Sequence, residues 1–224
     1  MRGTQCVELH AWNSMRNPCP SIQFNMYDYR NLSPQMRNEV LEWRKRNGLP
    51  WHSPAHGQMG FSDKYLVTAA CFEHKRHIGI SPDRMNCCEK TLLDFCLEFG
   101  SEVFAWCILP NHYHLLIQCA LIKTFCKYLG KLHGRLSRQW NKEDDEPGRN
   151  VWYRSFDREI RSERHFYASL NYVHHNPVHH KYVESWIDWP WSSAAIYLEK
   201  VGREEAEKIW REYPLFDYGK KWDL

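Results

Sequence analysis

The 224-residue chain has no Cys-x-x-Cys pair, no Gly-x-x-x-x-Gly-Lys-Ser/Thr loop and no apolar run approaching a membrane span. The first absence argues against a zinc ribbon or a dithiol redox site. The second removes the loop that cradles phosphates in many nucleotide hydrolases, so no nucleotide cofactor is expected. The third leaves no transmembrane helix to place, and the first residues carry no apolar stretch of the secretory kind, so no membrane is expected as a partner. Nine cysteines, an odd number with a vicinal Cys87-Cys88, fit small core residues in a reducing cytoplasm better than a disulfide framework.

Net charge is only +3, but acidic residues are missing from one stretch. Between Lys123 and Lys142 there is no Asp or Glu, while Lys123, Lys127, Lys131, Arg135, Arg138 and Lys142 recur at spacings of 4, 4, 4, 3 and 4. On a helix these six share one face. Ile122, Phe125, Leu129, Leu132 and Leu136 form an apolar stripe roughly 140° around. Like charges at i,i+4 cost a helix about a few tenths of a kcal/mol per pair, so the stripe points to a polyanion, and nucleic acid is the expected partner. Eleven Trp and twelve Tyr supply flat faces for packing and for stacking on unpaired bases.

The segment Cys107–Ile117 reads as two apolar strands joined at Pro110-Asn111, with His112 and His114 opening the second. Side chains alternate along a strand, so the two imidazoles share one face and Tyr113, Leu115 and Ile117 the other. A chain with 13 His holds such a pair by chance often enough that the pair alone decides little. Its setting between apolar strands, with other reactive side chains downstream, makes it a candidate metal site.

Residues 1–60 read as an N-terminal extension: a helix from Ser33-Pro34 to Gly48, then a Pro/His loop in which His52 and His56 are loop residues. A compact domain follows over 61–200. Its expected elements are a strand at Tyr65–Phe72, a helix capped by Ser81-Pro82 and closed by Gly100, the hairpin of Val103–Leu109 and His112–Cys119, and the basic helix near 122–141. A solvated acidic loop at 143–148, a strand at Val151–Ile160 and a helix opening at Ser162 and ending before Pro177 complete it. The fold class is α+β: a ferredoxin-like β-α-β-β-α-β antiparallel sheet with helices on one side, plus N- and C-terminal helical extensions. A Trp-rich turn, a short helix near 192–200 and a charged helix near 203–212 precede the end of a tail over 201–224.

Within the helix opened by Ser162, Phe166, Leu170 and Val173 lie at core spacing, while His165, Ser169, Tyr172 and Asn176 form a neighbouring stripe. Tyr172 and Asn176 are one turn apart, so a phenol and an amide oxygen are presented together. Two imidazoles, His112 and His114, and the Asn176 oxygen make a three-ligand set with open positions suited to Mg²⁺ or Mn²⁺. Such an ion polarises a phosphodiester while Tyr172 attacks phosphorus. Among the cations between the acidic loop and this helix (Arg149, Arg154, Arg158, Arg161 and Arg164), some are expected to hold backbone phosphates.

Four separated motifs carry a resemblance: Pro110-Asn111-His112-Tyr113-His114-Leu115-Leu116-Ile117, Trp152-Tyr153-Arg154-Ser155-Phe156-Asp157-Arg158, Tyr172-Val173-His174-His175-Asn176-Pro177-Val178 and Asp188-Trp189-Pro190-Trp191-Ser192-Ser193. In this order they resemble the REP-associated tyrosine transposases, a branch of the single-tyrosine transposases with a His-hydrophobe-His motif. The resemblance implies a metal-dependent single-stranded DNA endonuclease and strand transferase that cleaves near imperfect hairpins through a 5′-phosphotyrosine. It assigns the nucleophile to Tyr172 and the metal to His112, His114 and Asn176, where relatives often carry Gln in place of Asn176. DNA-binding roles are expected for Lys127, Lys131, Arg135, Arg138, Arg154, Arg158 and Arg161. The partner is single-stranded DNA with REP-like hairpins, the protein a monomer or homodimer, and its location the cytoplasm at the nucleoid. The alternative is a domesticated hairpin-binding protein without transposition activity. A histidine-triad nucleotide hydrolase is a third reading, disfavoured because Leu116 stands where a further His is needed.

Overall fold

The structure is a computed structural model that describes residues 63–219 other than Asp217, together with Ser33, Gln35, Glu39, Glu42 and Arg46. Gln35, Glu39, Glu42 and Arg46 are helical, as the Ser33-Pro34 start implies. The rest of that helix and the loop with His52 and His56 lie outside the described residues. From Asp63 to Gly219 the described residues fall in one unit.

Four strands and five helices follow in chain order: β1 Lys64–Cys71, α1 Pro82–Glu98, β2 Glu102–Ile108, β3 His112–Gln118, α2 Ile122–Glu143, β4 Trp152–Glu159, α3 Glu163–His179, α4 Ala194–Val201 and α5 Arg203–Glu212. The sheet order is β2-β3-β1-β4 with every pair antiparallel, the ferredoxin-like arrangement expected. Among the described residues no helix is long and apolar enough to cross a membrane.

Local chemistry accounts for the element ends. Ser81 caps α1 by accepting from the Arg84 N–H, and Pro82 sits where a missing N–H costs nothing. Gly100, at φ +75°, turns the chain into β2. The spacing of Met85, Cys88, Leu92 and Cys96 on α1, and of Phe125, Leu129, Leu132 and Leu136 on α2, gives each helix one buried stripe. Both stripes pack on the face formed by Val67, Ala69, Tyr113, Leu115 and Ile117. The two crossover helices therefore share one side of the sheet. Helix α3 takes the opposite side, lying across β2 and β3.

Two expectations change. α3 does not end before Pro177 but runs through it to His179. Proline there removes one hydrogen bond in the last turn, its ring is buried, and the His180 N–H closes the helix on the Asn176 carbonyl at 3.0 Å. Asn176 is thus held inside regular helix. Nor is the acidic segment at 143–148 simply solvated. Arg84, 7% exposed at its side chain, grips Asp144 bidentately at 2.6 and 2.9 Å and Glu143 at 2.8 Å; Arg149 adds a contact to Asp144 at 2.6 Å. Arg149, expected among the phosphate cations, is therefore engaged in holding the α2–β4 connection to α1. It also donates to Asn141 Oδ1 at 3.0 Å.

The Trp-rich turn is a sheet accessory. Ser192 bridges to Cys107, the Ile108 N–H donates to the Trp191 carbonyl, and the Trp189 indole donates to the Ile108 carbonyl, so the segment runs along the outer edge of β2. Covering an edge in this way blunts pairing with other chains.

The Arg84 and Arg149 guanidiniums hold the Asp144 carboxyl far below the usual carboxylate range, the Arg84 hydrogen bonds contributing most. A carboxyl depressed in the folded state adds stability that is complete above its unfolded pKa of about 3.9 and disappears as pH falls through the folded value. Asp144→Asn should therefore lower the unfolding free energy by roughly 2 kcal/mol at both pH 7 and pH 5, since it leaves a largely buried arginine short of its charge partner. Urea unfolding at pH 3 should show the wild type and the variant drawing together.

Candidate active site

β3 is paired on both edges and its residues from His112 to Ile117 are all buried. The period of two sends Tyr113 into the α1/α2 core, where its hydroxyl donates to His133 Nε2 at 2.8 Å. Burial pushes His133 down to about 3, so it stays neutral and can accept. His112 and His114, 2% and 0% exposed, face α3 with ring centroids 5.0 Å apart. The turn that starts β3 is held from outside the hairpin. Gly79 donates to the Pro110 carbonyl at 2.9 Å, and a Cβ on Gly79 would lie 2.3 Å from Pro110 Cβ, so only glycine permits the approach.

Each imidazole has its Nδ1 engaged by the protein. His112 Nδ1 lies 2.8 Å from Asn111 Oδ1. His114 Nδ1 lies 2.8 Å from the Thr68 hydroxyl, its cross-strand neighbour on β1. Both contacts orient the rings as the outer partners of metal-bound histidines do.

From α3, Asn176 brings Oδ1 to 3.1 Å from His112 Nε2, and the Tyr172 ring packs edge-on at 5.0 Å from His114. With Nε2 unprotonated, His112 Nε2 and Asn176 Oδ1 would be two adjacent lone-pair donors. Neighbouring ligands of an octahedral ion, with bonds near 2.1 Å, stand about 3 Å apart, so the donor pair fits a hard divalent cation. Among the described residues no three His, Cys, Asp or Glu side chains form a metal group; the set here is two imidazoles and an amide oxygen.

The structure thus brings together His112, His114, Tyr172 and Asn176. It adds groups that sequence reading did not include. His180, one turn beyond Asn176, sets its ring 4.9 Å from His112, and the i,i+4 spacing from Asn176 was the available signal. Tyr218 stands 5.9 Å from Tyr172 and lies 2.5 Å from the Ser169 hydroxyl, while a Cβ on Gly219 would meet the Tyr172 ring at 2.1 Å. The C-terminal segment therefore covers the Tyr172 ring, which is 4% exposed.

The cations divide into two groups. Arg158 pairs with Leu66, itself opposite Leu116, which places it on the histidine face of the sheet. Desolvation lowers its pKa, while the Tyr218 and Tyr172 phenols raise it; it remains a cation within electrostatic reach of both hydroxyls. Arg154 is exposed at the irregularity where β4 shifts register against β1, and Arg161 is exposed before α3, 3.4 Å from Glu159. Lys127, Lys131, Arg135 and Arg138 are exposed on α2 and thus on the far side of the sheet from the histidines. The structure does not bring them to the site.

Three comparisons bear on this arrangement. A sequence model of the family described as "Transposase IS200 like" matches residues 64–176, from the first residue of β1 to the Asn176 of the site. A Haemophilus influenzae protein, named "Putative REP-associated tyrosine transposase", is 36% identical over 134 residues, covering 51% of this chain and 74% of that protein. A solved structure described as a REP-associated tyrosine transposase bound to a REP hairpin superposes with a TM-score of 0.50 at 16% identity. The alignment spans 66% of this chain and 87% of that one, and it shows the shared fold. The sheet, the histidine strand and the tyrosine helix as far as Asn176 lie within the family match, and the chain belongs to the IS200-like transposase family.

Proposed function

We propose that the protein cleaves and rejoins single-stranded DNA beside imperfect hairpins, through a covalent link between Tyr172 and the 5′ phosphate of the cut strand. The observation that carries this reading is the meeting of β3 and α3: Asn176 Oδ1 at 3.1 Å from His112 Nε2, with Tyr172 against His114. The solved relative that shares this fold is described as bound to a REP hairpin, which supports hairpin DNA as the substrate here. A chromosomal substrate of that kind would have the protein work at the nucleoid.

His112, His114 and Asn176 would hold Mg²⁺ or Mn²⁺. When bound, the ion polarises the scissile phosphodiester and offsets the charge that develops on its oxygens. Tyr172 Oη attacks phosphorus, the P–O3′ bond breaks, the phenol proton passes to solvent, and a free 3′-OH is released. Arg158, a cation within electrostatic reach of the Tyr172 hydroxyl, would help hold the scissile phosphate against it. The phosphotyrosine keeps the energy of the phosphodiester, so a 3′-OH can reverse the step without a nucleotide cofactor. Arg154 and Arg161 extend the cationic surface along β4 and its exit. The α2 stripe, a sheet thickness away, suits the phosphates of a hairpin stem rather than those at the cut.

Wild-type protein with a labelled hairpin oligonucleotide should give a denaturant-stable adduct carrying the strand 3′ of the cut. Tyr172→Phe should bind the same DNA and form none, while Tyr153→Phe and Tyr167→Phe should keep the adduct. An adduct retained in Tyr172→Phe and lost in either of the others would displace the active site.

His112→Ala and His114→Ala should each reduce adduct formation at least about a hundredfold, with DNA affinity within a few-fold of wild type. Chelator should reproduce the loss and Mn²⁺ should reverse it. Full cleavage in chelator would remove the ion from the mechanism.

A second reading, a hairpin-binding protein without strand transfer, draws on the cover over Tyr172 by Tyr218 and Gly219. Gly219→Leu separates the two readings. A side chain there, at φ +78° and against the Tyr172 ring, should lift the segment and speed adduct formation several-fold with unchanged DNA affinity. If neither Gly219→Leu nor the wild type forms an adduct, the binding-only reading stands.

A further inference from the structure

Helix α3 has a second working side. Tyr172 and Asn176 turn toward the sheet, whereas Asn171, His174 and His175 turn away from it and form one wall of a cavity of about 580 Å³. The loop at Ser185–Ile187 and helices α4 and α5 close the rest. This volume lies within the range of sites that take small organic ligands.

Its lining is aromatic and has both signs of charge at hand. Trp186 stacks on His174 at 5.9 Å, Tyr197 packs on the same ring at 4.9 Å, and Trp210, 39% exposed, lies 4.9 Å from His175. Arg203, Glu207 and Arg211 line it from α5. The Tyr197 hydroxyl is buried and has no hydrogen-bond partner among the described residues, although nearly all buried polar groups in folded proteins find one. His174 Nε2 is engaged with the Ser193 hydroxyl at 2.9 Å.

We propose that this cavity takes one unpaired nucleotide of the DNA substrate. The base stacks against Trp210, its edge is met by the Glu207 carboxylate, and the adjoining phosphate lies toward Arg203 and Arg211. A planar heterocycle with donors on its edge and an anion attached matches what the lining offers. A purely apolar guest would make no use of the charges, and a bare phosphate none of the rings. The cavity and the Tyr172 hydroxyl lie on opposite sides of one helix, about 10 Å in diameter, so a strand held at one can reach the other within a few nucleotides. The proposal rests on the single-stranded DNA reading above and adds a specificity pocket to it.

The test is an abasic scan of the hairpin oligonucleotide. Removing the base at one unpaired position should weaken binding to wild type about tenfold, the usual effect of losing one base–aromatic stack. Trp210→Ala should weaken intact DNA to the same degree and leave the abasic oligonucleotide unaffected, the signature of a direct pair. A 2-aminopurine at that position should be quenched on binding to wild type and not on binding to Trp210→Ala. Glu207→Ala, which leaves Trp210 in place, should keep the stacking quench while losing preference among bases there. Equal losses for intact and abasic DNA in Trp210→Ala, or a scan with no sensitive position, would overturn the pocket. In those cases wild type still forms the Tyr172 adduct. Failure of the adduct itself would overturn the cleavage reading, and the pocket with it.

Discussion

Strand β3 is hydrogen-bonded on both edges and covered on both faces, so its two histidines give up water on every side and must satisfy their nitrogens inside the protein. An unsatisfied buried polar atom costs about 1–3 kcal/mol, which makes their partners a condition of folding as well as of chemistry. Asn111 and Thr68 supply one bond each from within the sheet. The other side of the pair must be closed by something that brings polar atoms, and a helix carrying Tyr172 and Asn176 one turn apart does so. His112 Nε2 and Asn176 Oδ1 meet there at 3.1 Å, so the constraint that places the helix also sets two metal-ligating atom types side by side.

That placement gives α3 two distinct jobs. Its sheet-facing stripe builds the reacting groups, and its outer stripe builds the floor of an aromatic cavity. Asn171 ties the two layers by donating to the Tyr213 carbonyl at 3.0 Å, and His174, pushed down to about 3 by burial, stays neutral between Trp186 and Ser193. A neutral, hydrogen-bonded histidine adds no charge to the cavity floor, so the sign of any guest is read at the α5 rim. The segment after α5 shares contacts with Tyr172, since Tyr218 and Gly219 rest on its ring.

Much of this was legible in the chain. Ser81-Pro82, Gly100 and Ser162 mark element ends by chemistry that acts within four residues, and the period of two at His112 and His114 assigns them one face whatever they pack against. The Tyr172–Asn176 turn is equally local. What escaped depends on neighbours far along the chain. Thr68 meets His114 only through the β1–β3 register, Arg84 meets Asp144 across 60 residues, and the acidic segment reads as solvated until α1 is set beside it. Pro177 reads as a helix end because its lost bond is visible in sequence and its burial is not. Tyr218 and Gly219 carry no pattern at all; their closeness to Tyr172 is a matter of where the last helix delivers the chain.

The two cationic surfaces follow from the same layering. Helix α2 buries its apolar stripe on the Tyr113 face, and a stripe roughly 140° around on that helix must then face solvent on the side away from the histidines. Strand β4, by contrast, alternates between the faces up to its register shift, and Arg158, opposite Leu66, lies on the histidine face. A sheet about 10 Å from its covering helix separates these surfaces. A rigid duplex lying along α2 cannot also enter the histidine face, whereas a single strand leaving the duplex can turn around the β4 edge, where Arg154 and Arg161 are exposed. Under the proposed function, the division between paired and unpaired DNA would be set by the thickness of the sheet, with charge on both sides of it and the histidines on one.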